Sequence, residues 1–167
     1  MLIKKILERV ESSDEFRSWE KTNYYLAYMF ASSKEEWQVG YYNKEKDNMI
    51  SFQVADKITK NLESEVFKKK KTVRKLNLEK VNIDFEEAVN KCINAHNKLH
   101  PVGIISKQII ILQHLKQGQV WNITLLTTTM NTTNLKLDSS TGKMISEETF
   151  SLGDLLKVDK GNIPVAK

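Results

Sequence analysis

The sequence predicts an α+β fold of two repeated units, each a helix followed by an antiparallel meander of three to four strands. Three observations lead there. Apolar residues recur at helical spacing near the N-terminus and again over 85–99. Each helical stretch is followed by three short β-type segments separated by polar turns. A Trp-led alternating run, Trp37-Gln38-Val39-Gly40-Tyr41, is echoed by Trp121-Asn122-Ile123-Thr124-Leu125, and self-similarity of that kind marks a duplicated unit.

In chain order, Leu2, Ile3, Ile6, Leu7 and Val10 define a short amphipathic helix. Ser12, followed three positions later by Glu15, has the form of a capping box. It opens a second helix from Ser13 to about Lys21 that carries Phe16 and Trp19. Asn23 ends it. Tyr24 to Ala31 is a strand pattern with Leu26, Tyr28 and Phe30 on one register. Trp37, Val39 and Tyr41 then alternate with smaller or polar residues, and Ile50, Phe52 and Val54 do the same after the polar turn 43–48. Short polar turns between three strands give an antiparallel meander. Residues 56–75 are polar and lysine-rich, an irregular connector.

Asp84 caps the next helix, with Glu87 on its third position and a broad apolar stripe of Phe85, Ala88, Val89, Cys92, Ile93, His96 and Leu99. The pair His100-Pro101 stops it, because the residue before proline disfavours helix. Ile105–Leu115, Val120–Thr129 and Thr132–Leu137 are three further β-segments, and 138–143 is a turn. Aligned as repeats, Trp37 falls on Trp121, Val39 on Ile123 and Tyr41 on Leu125. The expected division is 1–67 for the first unit, 68–80 for a basic connector, 81–156 for the second unit and 157–167 for a tail.

The 167 residues are enough to bury a core without staples. The single cysteine, Cys92, allows no intrachain disulfide, which suits a reducing compartment. No segment reaches the ~20 apolar residues of a membrane span. The N-terminal residues lack the apolar core of a secretory signal, so cytoplasmic residence is expected. The net charge of +5 is concentrated in Lys68-Lys69-Lys70-Lys71-Thr72-Val73-Arg74-Lys75, which is either a solvated linker or a polyanion footprint.

The second half carries a recognisable pattern. The helix 84–99 is followed by Trp121-Asn122-Ile123-Thr124-Leu125, then Leu135-Lys136-Leu137-Asp138, then Thr141-Gly142-Lys143-Met144-Ile145. This arrangement resembles the PepSY domain, and the first half follows it in outline, with Asp56-Lys57-Ile58-Thr59-Lys60 in place of the Thr-Gly-Lys turn. The resemblance implies a cystatin-like α+β fold in tandem, and a role in binding or regulating a peptidase or in sensing.

No catalytic constellation is evident. Cys92, His96 and His100 share a helix face at i, i+4 and i+8, a zinc-compatible set of residue types, but the same stripe is apolar and reads as core. Cys92 within it would have a raised pKa and be inert. No phosphate loop and no nucleophile elbow occur. The expectation is therefore a non-enzymatic protein without metal or cofactor. It would bind a protein or peptide through an open sheet face or an edge strand, with Trp37, Tyr41 and Trp121 as candidate contacts. Tyrosines on the face away from the helix would add an apolar patch. The alternative is a nucleic-acid-associated accessory protein using Lys68, Lys69, Lys70 and Lys71. Salt separates the two: binding through 68–75 would fall steeply between about 50 and 200 mM and vanish when the four lysines are neutralised, whereas binding to the sheet would persist.

Overall fold

The computed structural model of the chain describes residues 1–32, 36–61, 64–65, 72–100 and 103–151. Helix α1 spans Leu2–Glu11 and buries Ile3, Ile6 and Val10, the i, i+3, i+7 set expected of an amphipathic helix. Helix α2 is shorter than its sequence suggests, Asp14–Arg17, and its cap is Ser13, whose hydroxyl accepts the Phe16 N–H at 3.2 Å. It stops because the Ser18 and Trp19 N–H groups close the last turn onto Asp14 and Phe16. Trp19 then turns into an aromatic cluster, 4.7 Å from Tyr24 and 5.5 Å from Tyr41 between ring centroids.

Strands β1 (Tyr24–Ala31), β2 (Trp37–Asn43) and β3 (Asn48–Val54) form the expected meander. The Asn43 side chain accepts from the Glu45 and Lys46 N–H groups and so shapes the β2–β3 turn. Two short strands, β4 (Ile58–Lys60) and β5 (Ser64–Glu65), then pair with β3 inside the segment expected to be irregular. A single 3-10 turn at Leu78–Lys80 leads to helix α3, Phe85–Leu99. Strands β6 (Ile105–Leu115), β7 (Gly118–Thr127), β8 (Asn131–Asp138) and β9 (Met144–Ser151) complete the described chain.

These strands do not make two repeated helix-plus-meander units. They form one antiparallel sheet in the order β4-β3-β2-β1-β6-β7-β8-β9, with β5 also on β3. The join is β1 against β6, where Tyr28–Ala31 pair with Gln113–Ile110. The physical reason lies in the two runs Tyr24-Tyr25-Leu26-Ala27-Tyr28-Met29-Phe30 and Ile109-Ile110-Ile111-Leu112. Both are apolar on both faces, which is the pattern of interior strands, and pairing them removes two unpaired edges. The helices also differ between the halves: α1 and α2 lie over β2 to β4, whereas α3 alone lies over β7 and β8.

One core lies between the helices and one face of the sheet. Met29, Val39, Phe52, Leu112, Ile123, Leu125, Leu135 and Leu137 point into it and are wholly buried. Its centre is Phe85, the first residue of α3, whose ring meets Trp37 at 5.0 Å and Trp121 at 6.3 Å, both edge-on. Beside it, Asp84 holds two helix starts with one carboxylate: Oδ1 accepts the Phe85 N–H and Oδ2 the Leu2 N–H, each at 2.9 Å. The chain reaching α3 is fixed by the turn after β8. The Ser139 carbonyl accepts the Asn82 and Ile83 N–H groups at 3.0 Å, and the Ile83 carbonyl accepts the Trp121 indole N–H at 2.8 Å.

Phe85→Ala should therefore cost roughly 3–5 kcal/mol of unfolding free energy, the range for truncating a buried Phe. Leu99→Ala at the exposed end of the same helix should stay within about 0.5 kcal/mol. Urea midpoints of the two variants check this, and equal losses would show that the Phe85 contact is not central.

Candidate functional site

The sheet's two faces divide the tyrosines. Tyr24 and Tyr41 point toward the helices, and Tyr25, Tyr28 and Tyr42 point away, as the β1–β2 register requires. A bulge at Ala27 puts Leu26 and Tyr28 on opposite faces, although their spacing suggested one. The sequence-predicted contacts Trp37, Tyr41 and Trp121 all lie on the helix-covered face, at 2, 5 and 0 % exposure. They therefore anchor the core and cannot stack a ligand on open sheet. Burial, reinforced by the nearby Glu11 carboxylate, pushes the Tyr41 phenol well above its ordinary value. The Tyr41 hydroxyl makes no well-formed hydrogen bond among the described residues. Lys68, Lys69, Lys70 and Lys71 lie outside the described residues.

The outer face changes character across its width. Over β7 and β8 it is polar: the Asn134 amide donates to Asn122 Oδ1 at 2.8 Å and to Thr124 Oγ1 at 2.9 Å. Over β1 and β6 it is apolar, with Phe30 and Ile111 paired across the join. Tyr28 lies so close over Gly40 that a Cβ there would sit 2.0 Å from the Tyr28 ring, which is why β2 carries a glycine mid-strand. Ser51 accepts from the amides of Gln38 (2.6 Å) and Asn61 (2.9 Å) and bonds Tyr28. Burial of Tyr28 raises its pKa.

Residues 72–76 cross this face as a strap pinned at three points. The Tyr25 hydroxyl donates to the Val73 carbonyl at 2.9 Å and the Leu76 N–H to the Leu26 carbonyl at 2.8 Å. His114 Nδ1 lies 2.7 Å from the Lys75 carbonyl, and since a carbonyl only accepts, Nδ1 carries the proton. Between strap and sheet is a cavity of about 400 Å3, whose walls include Phe30, Met49, Val73, Ile111 and Leu115, with Arg74 at its rim.

The sheet's last strand, β9, pairs with β8 along one side, and no described strand pairs with its other side. Ile145 and Phe150 on β9 are 39 and 42 % exposed. Sequence reasoning anticipated binding at an edge strand but placed no strand at Met144–Ser151, and it missed the cavity. The signal for the cavity was present in Ile109-Ile110-Ile111, since an outward apolar residue on a half-solvated strand breaks the alternation expected there. For β9 it was weak, because Ser146-Glu147-Glu148-Thr149 has little strand character.

The helix set Cys92, His96 and His100 is drawn toward β8 and β9. His100 Nε2 lies 3.0 Å from Thr149 Oγ1, that hydroxyl 3.3 Å from Thr133 Oγ1, and Thr133 Oγ1 3.0 Å from His96 Nδ1. His96 is fully buried, and its Nε2 and the Glu147 Oε1 are both without hydrogen-bond partners among the described residues. Burial, with the Glu147 charge adding to it, pushes the Cys92 thiol up to about 12, so it is no nucleophile near neutrality. Among the described residues no group of three or more His, Cys, Asp and Glu side chains is placed to hold a metal ion. No helix among them is long and apolar enough to cross a membrane.

The class defined by this geometry is a helix-covered antiparallel sheet with one open face. No protein-family model matches the chain, and no curated protein does so either. The crystal structure of a "putative lipoprotein" from Clostridium difficile 630 is similar, with a TM-score of 0.56 and 13 % identity over 77 % of this chain and 84 % of that one. At that identity the likeness concerns the fold alone.

The buried imidazole predicts a pH dependence. Burial and the neighbouring His100 lower the His96 pKa from its ordinary 6.5, against the opposing pull of Glu147. The unfolded chain then binds the proton more readily. The stability this group contributes is complete above pH 6.5 and is lost as pH falls below it, by at most about 1.4 kcal/mol per pH unit. Urea unfolding at a series of pH values should show that slope between pH 7 and 5, and His96→Gln should flatten it.

Proposed function

We propose that the protein is a non-catalytic binding module that captures an extended protein or peptide segment by adding it to the outer side of β9. The observation that carries this is the edge itself: over residues 144–150 of β9, no described strand pairs with the outer side. The opposite edge is made of strands of three and two residues, too short to hold a partner in register. Strand addition draws affinity from main-chain hydrogen bonds, so it needs no special side chains, and side chains opposite the partner set its register. A bulge between Lys136 and Leu137 disturbs the first end of β9, leaving 146–151 as the regular stretch. There Glu148 favours a basic residue on the partner and Phe150 an apolar one. The PepSY resemblance of 121–145 makes a peptidase one class of partner that fits this role.

The test is hydrogen exchange on the protein with partner recovered from its native source. Amides of Met144–Ser151 should gain protection on binding, and Phe150→Lys should weaken binding by about tenfold, on the order of 1.4 kcal/mol. Protection confined to other strands, or undiminished binding by the Phe150 variant, would remove the edge from the account.

A further inference from the structure

The cavity under the strap lies on the outer face, apart from β9, and does not depend on the edge being a docking site. Its chemistry is unusual for an open sheet face. Phe30 and Ile111 form a cross-strand pair whose side chains turn away from the core. With Met49, Val73 and Leu115 they wall a space of about 400 Å3, inside the range of about 300–1,000 Å3 for small-molecule sites. The polar half of the same face shows what solvation alone would select, namely Asn122, Thr124, Asn134 and Lys136. The strap also has a fixed position, because three hydrogen bonds tie Val73, Lys75 and Leu76 to β1 and β6. A roof held that firmly over apolar side chains leaves a preformed hollow, which spares a ligand the cost of ordering it.

The rim fixes the sign of the ligand. Arg74 stands exposed at the mouth without an ion pair among the described residues. None of the described residues lining the cavity is acidic, and Tyr28, Gln38, Thr72, Gln113 and His114 supply its other polar side chains. A guanidinium with no ion-pair partner among the described residues, beside an apolar hollow, suits a carboxylate or sulfonate, which it can grip with two parallel N–H donors. We propose that this cavity binds a small amphipathic anion, its apolar body against Phe30 and Ile111 and its charged group on Arg74.

The experiment uses the full chain with two probes, 1-anilinonaphthalene-8-sulfonate followed by fluorescence and decanoate followed by calorimetry. One equivalent of the dye should bind with blue-shifted emission and be displaced by decanoate. Arg74→Gln, a change at an exposed position that leaves the core untouched, should weaken both probes about tenfold. Decylamine, with the same tail and opposite charge, should displace the dye at least tenfold less well than decanoate. Ile111→Asp should abolish the site, and its circular dichroism spectrum separates that loss from unfolding. Equal displacement by decylamine, or an Arg74 variant that binds as the parent does, would overturn the proposal. So would the absence of any saturable binding up to millimolar probe.

Discussion

The wedge of Phe85 between Trp37 and Trp121 is the interaction on which the rest of the molecule depends. An eight-strand path of sheet can bury its inner face only if something spans the middle, and the helices reach it from the start and the middle of the sequence. Phe85 stands where they meet. Its ring touches a tryptophan of β2 and one of β7, on either side of the β1–β6 join. The preceding Asp84 also holds the start of α1 through the Leu2 N–H. A single residue pair thus fixes both helices on a common core, and the sheet is continuous beneath them. Edge-to-face aromatic pairs contribute on the order of 0.5–1.5 kcal/mol beyond area burial, so the triad gives position as well as stability.

Covering one face so completely frees the other. Inward residues of the central strands are committed to packing, whereas outward residues are constrained only by their neighbours on the sheet. Two solutions then coexist side by side. Over β7 and β8 the outward positions are polar and satisfy one another, as the Asn134 amide does. Over β1 and β6 they are apolar and shielded by a strap. The strap is possible because β1 pairs with β6 only from Tyr28 onward, which leaves the Leu26 carbonyl to receive the Leu76 N–H as the connector passes toward the core.

How much of this the residues announced depends on the period of each segment. The first meander was legible because Trp37, Val39 and Tyr41 and then Ile50, Phe52 and Val54 alternate strictly, and helix α3 because Asp84, its apolar stripe and Pro101 all agree. The single sheet was not legible. The runs in β1 and β6 have no polar face to reveal which side is covered, and pairing between them joins residues about eighty positions apart. The bulge at Ala27 hid the faces further: Leu26, Tyr28 and Phe30 read as one register, yet an extra residue in the strand sends Leu26 inward and the other two outward. Ligand-stacking tryptophans and core tryptophans have the same local sequence, so Trp37 and Trp121 could be placed only by seeing what covers them.

The residues that carry the PepSY resemblance have structural work in this chain. Asp138 Oδ1 gathers the backbone N–H and hydroxyl of both Ser140 and Thr141, at 2.7–3.0 Å, and these bonds lower its pKa. Gly142 takes a φ of +70, where a Cβ would also press to 3.2 Å from Ile83. Leu135 and Leu137 are core, and Trp121 clamps the Ile83 carbonyl. These residues close the β8–β9 turn and hold the segment that enters α3, whatever the protein binds. Function therefore has to be argued from positions the fold leaves unconstrained. In this molecule those are the edge of β9 and the roofed apolar hollow at the β1–β6 join.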